Sequence, residues 1–299
     1  MVMRNFIIAL LVIILAGVGI YLYKDTLFDK IDVTPEVTEP QEEVDETPEV
    51  VQEKETIIGK SVDGRDLTAY HYGTGDTELL FVGGIHGGYS WNTVLVAYEL
   101  MDYLEENPSA IPSNVKATVI PVLNPDGLNK VTGTVGRFTK ADVSTSPTVV
   151  AGGRFNSNNV DLSRNFDCNW KSTGVWQTQA VSGGSKAFSE PESQAVRNYV
   201  ESKKPAAAVV WYSAAGGVYA SKCNGDIMPE TSTVTNLYAK ASGYPAYNSF
   251  DFYETTGDMV SWLAKSKIPA ISVLLSTHEN VEWDKNKKGI DALLEHYAE

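Results

Sequence analysis

The chain has 299 residues, 43% hydrophobic and 21% charged, a composition that folds; at roughly 100–200 residues per domain this makes one large domain or two small ones. A net charge of −14 with no Lys/Arg block excludes a nucleic-acid partner, because an acidic surface repels phosphate backbones. Two cysteines are too few for a disulfide scaffold or a four-thiolate metal site, and four histidines (His71, His86, His278 and His296) cap any imidazole-based metal chemistry.

Phe6 to Tyr23 is an apolar run of 18 residues; at 1.5 Å per residue it spans about 27 Å of helix, close to a hydrocarbon core of ~30 Å. Arg4 precedes it and acids follow it, which predicts a cytoplasmic N-terminus and an external C-terminal domain. Two readings stand for this segment: an uncleaved signal anchor, or a cleaved signal peptide with small residues around Leu15-Ala16-Gly17. Asp25 to Glu55 holds twelve acids against Lys30 and Lys54, interleaved with Pro, Thr and Val, and predicts an extended disordered stalk. The expected organisation is therefore an anchor over residues 1–24, a stalk over 25–55 and a folded domain over 56–299.

Within that domain, Leu79 to Val82 ends in Gly83-Gly84 and reads as a buried strand. Thr93 to Leu104 repeats apolar residues at helical spacing. Ala117 to Val122 reads as a strand closed by a turn at Asn124-Pro125-Asp126-Gly127. Asp142 to Val150, rich in Ser, Thr and Pro, reads as an exposed loop. Ser189 to Lys203 opens with Ser-Glu-Pro-Glu, a helix start. Ala206 to Trp211 and Ala270 to Leu275 read as strands, and Lys287 to Tyr297 as a closing helix. Strands alternating with helices predict a single α/β domain with a mixed, largely parallel central sheet flanked by helices. Ligands in such sheets sit beyond the carboxyl ends of the strands, which selects His86, Ser90, Tyr212 and the stretch from Leu274 to Glu279.

Six blocks in order carry a resemblance. They are Gly59-Lys60-Ser61-Val62-Asp63-Gly64-Arg65, Gly83-Gly84-Ile85-His86-Gly87-Gly88-Tyr89, Asn124-Pro125-Asp126-Gly127, Val160-Asp161-Leu162-Ser163-Arg164-Asn165-Phe166, Gly183-Gly184 with Ser189-Glu190-Pro191-Glu192, and Tyr253 before Gly257-Asp258-Met259-Val260-Ser261-Trp262. Together they resemble the zinc carboxypeptidases of the carboxypeptidase A type from about Ile58 to Tyr297. The resemblance implies one zinc held by two histidines and a glutamate, with a second glutamate as general base.

Position by position, the resemblance makes His86 the remaining zinc-ligand position and Asp161 the acid that orients it. Ser90 stands at the glutamate-ligand position and Tyr212 at that of the second histidine, while Leu274, or Leu275 after a one-residue slip, stands at the general-base position. Arg154 matches the oxyanion arginine. Arg164 matches the arginine that grips the terminal carboxylate, with Ser163 in place of its usual asparagine neighbour. Tyr253 matches the tyrosine that closes over the bound terminus, and the pocket base near Val260 suits an apolar terminal side chain.

No zinc is therefore expected, although the family would bind one. The expected protein is a membrane-anchored pseudoenzyme that binds peptide or cell-wall (peptidoglycan) peptide termini, or a protein partner, without cutting. The alternative is an active metallocarboxypeptidase with a relocated zinc site built from His86, His278 and perhaps Glu279 or Asp258. A serine hydrolase centred on Ser90 lacks the G-x-S-x-G elbow. Cys168 and Cys223 follow two of these blocks and are either paired or free, a point that a thiol count settles.

Overall fold

The computed structural model describes residues 53–298, so the apolar run at Phe6 to Tyr23 and most of the acidic stalk lie outside the described residues. Among the described residues, no helix is long and apolar enough to cross a membrane.

One sheet organises the domain. Its strands are β1 (Glu55–Lys60), β2 (Asp66–Tyr72), β3 (Thr77–Val82) and β4 (Val115–Ile120), joined by β7 (Ala207–Ser213), β8 (Gly217–Ala220), β9 (Ala246–Tyr247) and β10 (Ala270–Leu275). A separate hairpin pairs β5 (Thr173–Trp176) with β6 (Gln179–Ser182). The order across the large sheet is β1-β2-β4-β3-β7-β10-β8-β9. The four central strands, β4, β3, β7 and β10, run parallel, whereas β1, β2 and β8 join antiparallel. The sheet is thus mixed, with four parallel strands at its centre and a short parallel pair, β8 with β9, at one edge. Those central strands are nearly continuous apolar runs because helices cover both of their faces.

The helices are α1 (Trp91–Glu106), α2 (Pro125–Thr132), α3 (Pro147–Gly152), α4 (Pro191–Lys203), α5 (Pro229–Ser242), α6 (Met259–Lys265) and α7 (Trp283–His296). On one face, Val94, Leu100, Tyr238 and Leu293 from α1, α5 and α7 pack with Phe81, Trp211 and Val273 of the sheet. On the other, Val196, Met259 and Leu263 from α4 and α6 pack with Leu80, Val210 and Leu274.

Two sequence expectations change. Asn124-Pro125-Asp126-Gly127 opens α2 rather than closing a turn: the Asn124 side chain accepts from the Gly127 N–H at 2.8 Å, and Pro125 takes a first-turn position where no amide is needed. The stretch from Asp142 to Val150 is only partly loop, because Pro147 starts the short helix α3. The two cysteines are joined, Cys168 to Cys223.

The strand period fixes which residues reach the cleft. In β7, Val209 and Trp211 face one core and Val210 and Tyr212 the other; in β10, Leu275 and Leu274 divide the same way. Leu274 lies opposite Tyr212 in register. Leu274 therefore shares the Tyr212 side of the sheet, and a slip to Leu275 would turn that position to the far core.

Candidate functional site

The carboxyl ends of β3, β7 and β10 open onto a cleft of about 1380 Å³. Of the residues singled out in the sequence, His86, Arg154, Ser163, Arg164, Tyr212, Tyr253 and Leu274 line it, as do Asp258, Val260 and His278. Ser90 and Asp161 are buried outside the lining. Tyr89, Trp176, Tyr219 and Phe250 add an aromatic wall. Trp176 comes from the small hairpin, where no motif marks it.

A buried polar cluster fixes the cleft floor. Asp161 accepts from Arg154 Nε at 2.8 Å and from the Ser163 amide and hydroxyl at 3.0 and 2.7 Å. Its distance to His86 Nε2 is 3.7 Å, too long for the direct orienting bond expected of it. Ser163 stands between them, with its Oγ 2.9 Å from His86 Nε2. The Ser163 hydroxyl donates to the charged carboxylate, so its oxygen accepts from His86, which carries its proton on Nε2 and leaves the Nδ1 lone pair open. That Nδ1 is buried without a partner, as are Ser90 Oγ and the Tyr212 hydroxyl. Burial, with the nearby Arg154 charge, holds His86 well below its usual pKa, so its ring is neutral.

Arg154 is ion-paired inward to Asp161 while its guanidinium sits 4.7 Å from the Trp176 ring. Arg164 differs. Its Nη1 donates to the Ser163 carbonyl and hydroxyl at 2.9 and 3.1 Å, and its Nη2 to the Val175 carbonyl at 3.0 Å. Its Nε has no acceptor although the residue is only 3% exposed. A guanidinium offers five N–H directions, and these three bonds leave Nε, buried against Gly174, and one Nη2 direction without an acceptor. Among the described residues no carboxylate pairs with it. Gly174 makes room for this side chain, since a Cβ there would lie 2.8 Å from Arg164 Cδ. The Tyr253 ring stands 5.9 Å from the guanidinium carbon.

These donors do not fit zinc. Burial, and after it the Asp258 charge, pushes the Tyr212 hydroxyl well above its usual pKa, so it stays neutral. Ser90 offers a second neutral oxygen where the metal wants carboxylate or imidazole. Among the described residues, no group of three His, Cys, Asp or Glu side chains is placed to hold a metal ion. A relocated set finds no support either. His278 has Nδ1 at 2.9 Å from Ser213 Oγ and Nε2 at 3.2 Å from the Tyr89 hydroxyl, and Glu279 pairs with Lys140 at the exposed rim. Leu274 cannot take a proton.

The Ser213–His278 contact has the geometry of a nucleophile and base. Its electrostatics oppose that use. Burial and the Arg154 charge lower the His278 pKa, and its second nitrogen meets a neutral phenol rather than a carboxylate. Losing the carboxylate from such a triad costs about 10⁴ in rate. Ser213 should remain unmodified after prolonged incubation with a fluorophosphonate, read by intact mass.

The sequence profile of the family described as zinc carboxypeptidase matches residues 42–282. Bacteriocin BCN5 of Clostridium perfringens is 30% identical over 152 residues, covering 50% of this chain and 15% of that protein. A zinc carboxypeptidase of Simulium vittatum is 27% identical over 155 residues, covering 50% of this chain and 49% of its own length. The chain thus spans less than half the length of these curated relatives. Among solved structures, murein-tripeptide amidase MpaA from Escherichia coli O157 superposes with a TM-score of 0.57 at 22% identity, covering 81% of this chain and 92% of that one. Bovine thrombin-activatable fibrinolysis inhibitor, solved with tick carboxypeptidase inhibitor, gives 0.63 at 18% identity, with 82% and 88% covered. At these identities the structural likeness shows the fold alone.

Proposed function

Because the chain belongs to the zinc carboxypeptidase family, we propose that its cleft binds the carboxylate end of a peptide and does not hydrolyse it through the family's metal. One observation carries the reading: Arg164 lines the cleft without a carboxylate partner and keeps N–H directions unused, while the family's metal-ligand and general-base positions hold Ser90, Tyr212 and Leu274.

Arg164 would take the terminal carboxylate. Ser163, bonded to both Arg164 and His86, would hold the guanidinium in place, and Tyr253 would cover the bound end. Arg154 would present its free guanidinium edge to the last peptide carbonyl. With no base and no metal-activated water in reach, the bound peptide bond would stay intact. The apolar run at 6–23 and the acidic stretch at 25–55 support a membrane anchor and stalk that hold a 56–299 domain outside the cytoplasm. On that surface, peptidoglycan peptides are an available class of ligand, and the fold is shared with an amidase named for murein tripeptide.

The test uses zinc loading and calorimetry on the purified protein. After loading and buffer exchange, zinc should be far below one per chain. A peptide with a free carboxylate should bind and its C-terminal amide should not. Arg164→Gln should weaken binding by roughly 10- to 100-fold, the range expected for a charge-assisted pair. One tightly held zinc with release of the terminal residue would overturn the reading in favour of an active peptidase.

A further inference from the structure

An aspartate or asparagine is followed by glycine at three places in the folded domain: Asp63-Gly64, Asp126-Gly127 and Asn224-Gly225. Such steps share a chemical weakness. The glycine nitrogen can attack the carbonyl carbon of the preceding side chain, because no Cβ crowds its approach and its φ/ψ range is wide.

At the first two steps the attacking nitrogen is occupied. The Gly64 amide donates to the Ser61 carbonyl at 2.9 Å, and the Gly127 amide to Asn124 Oδ1 at 2.8 Å. Their carboxylates are engaged as well, and an ionised carboxylate is a poor electrophile. Asp63 Oδ2 accepts from Arg65 at 2.7 Å, while the buried Asp126 accepts from the Ser61 hydroxyl and from Arg65, each at 2.6 Å.

Asn224 differs on each count. It lies exposed in the irregular segment between β8 and α5, beside Cys223 and on the lining of the cleft. Among the described residues, neither its side chain nor the Gly225 amide makes a hydrogen bond. Its φ is +52°, in the left-handed region that asparagine enters more readily than most residues. A Cβ built on Gly225 would meet only the Cys223 carbonyl oxygen, at 4.0 Å, so the nitrogen is approachable. A neutral carboxamide, an unengaged nucleophile and open space coincide at this step and not at the other two.

We infer that Asn224 is a site of spontaneous modification, where the chain converts its own asparagine into aspartate and isoaspartate on the cleft lining. The Gly225 nitrogen bonds to Asn224 Cγ and the Cγ–Nδ2 bond breaks; Nδ2 leaves as ammonia, carrying the proton of the Gly225 amide. The resulting succinimide takes up one water. Opening between the nitrogen and Cγ gives aspartate. Opening between the nitrogen and the backbone carbonyl carbon gives isoaspartate, whose chain runs through Cβ and Cγ. Either product adds a negative charge to the rim, and isoaspartate also lengthens a segment that the bond to Cys168 holds in place. The inference goes beyond the carboxylate-end reading and does not depend on it.

Peptide mapping by mass spectrometry, after incubation of the full chain in mildly alkaline buffer, tests it. Position 224 should exchange NH2 for OH, yield two isomers, and do so faster than Asn248, which is exposed but followed by Ser249. The rate should rise with pH, because the attacking nitrogen must lose its proton. Hydroxylamine, which opens the succinimide, should cut the chain between 224 and 225. Both cysteines stay on the N-terminal piece, so the two pieces separate without reductant. Gly225→Ala should slow the reaction about tenfold, since a Cβ crowds the nitrogen and narrows its φ/ψ range; an unchanged melting temperature would show the fold intact. An unmodified Asn224, a rate no faster than that of Asn248, or a rate that Gly225→Ala leaves unchanged overturns the inference. Earlier modification at Asp63 or Asp126 overturns it too, because their glycine amides would then not be protected by their hydrogen bonds.

Discussion

Replacing Asp161 with alanine should remove about 3–5 kcal/mol of folding stability, the cost of stripping one partner from a buried ion pair. Asp161 is fully buried, and Arg154, 1% exposed, has no other carboxylate partner among the described residues. The same change would deprive the Ser163 hydroxyl and amide of their acceptor and loosen the support of His86. Urea unfolding followed by fluorescence of the buried tryptophans would measure it. Asp161→Leu combined with Arg154→Met should recover most of the loss, because desolvated pairs are often replaced by packed apolar groups at little cost. A single-variant loss below ~1 kcal/mol would mean that the cluster does not support the fold. Acid probes the same cluster. Burial alone would raise the Asp161 pKa, but the Arg154 and Arg164 charges outweigh it and hold the carboxyl well below the usual range. An unfolded aspartate titrates near ~3.9. The contribution is therefore full above about pH 5 and is lost as the pH falls below ~4 toward the folded value. Asp161→Asn should flatten this part of the acid limb.

Restoring two side chains should restore a metal site. Ser90→Glu with Tyr212→His should raise bound zinc from trace to near one per chain, while either change alone should not. His86 already presents an unpartnered Nδ1, and its Nε2 proton is anchored through Ser163 to Asp161, which prepares the ring to act as a ligand. A histidine on β7 at position 212 and a glutamate on the turn Gly87–Ser90 would supply the missing donors from rigid elements. Metal-to-protein ratios by mass spectrometry, with a thermal shift on zinc addition, are the readouts. Failure of the double variant, folded but metal-free, would show that the surrounding backbone has moved as well as the side chains.

Most of the fold was legible because its signals are local. The central strands are short apolar runs, β3 closed by Gly83-Gly84, and α1 repeats at helical spacing. The proline-led segments were harder. A proline after asparagine or serine is equally a turn or the first residue of a helix; both Pro125 and Pro147 open helices, the first capped by the Asn124 side chain. At the site, the block order placed Arg154, Arg164, Tyr212, Tyr253 and Leu274 on a common cleft, and period two in β10 separated Leu274 from Leu275. The insertion of Ser163 between His86 and Asp161 was not legible, since a hydroxyl carries no motif and the effect lies in a distance of 3.7 Å.

The bond between Cys168 and Cys223 closes a ring of chain that contains β5, β6, α4, β7 and β8, and so carries Trp176 and Tyr212 on a single covalent loop. With its ends 55 positions apart in sequence, closing that loop removes about 4 kcal/mol of entropy from the unfolded chain. The working wall of the cleft is thus tied to the redox state of its surroundings. The same polypeptide would hold the shape of its cleft less firmly on the reducing side of a membrane than on the oxidising side.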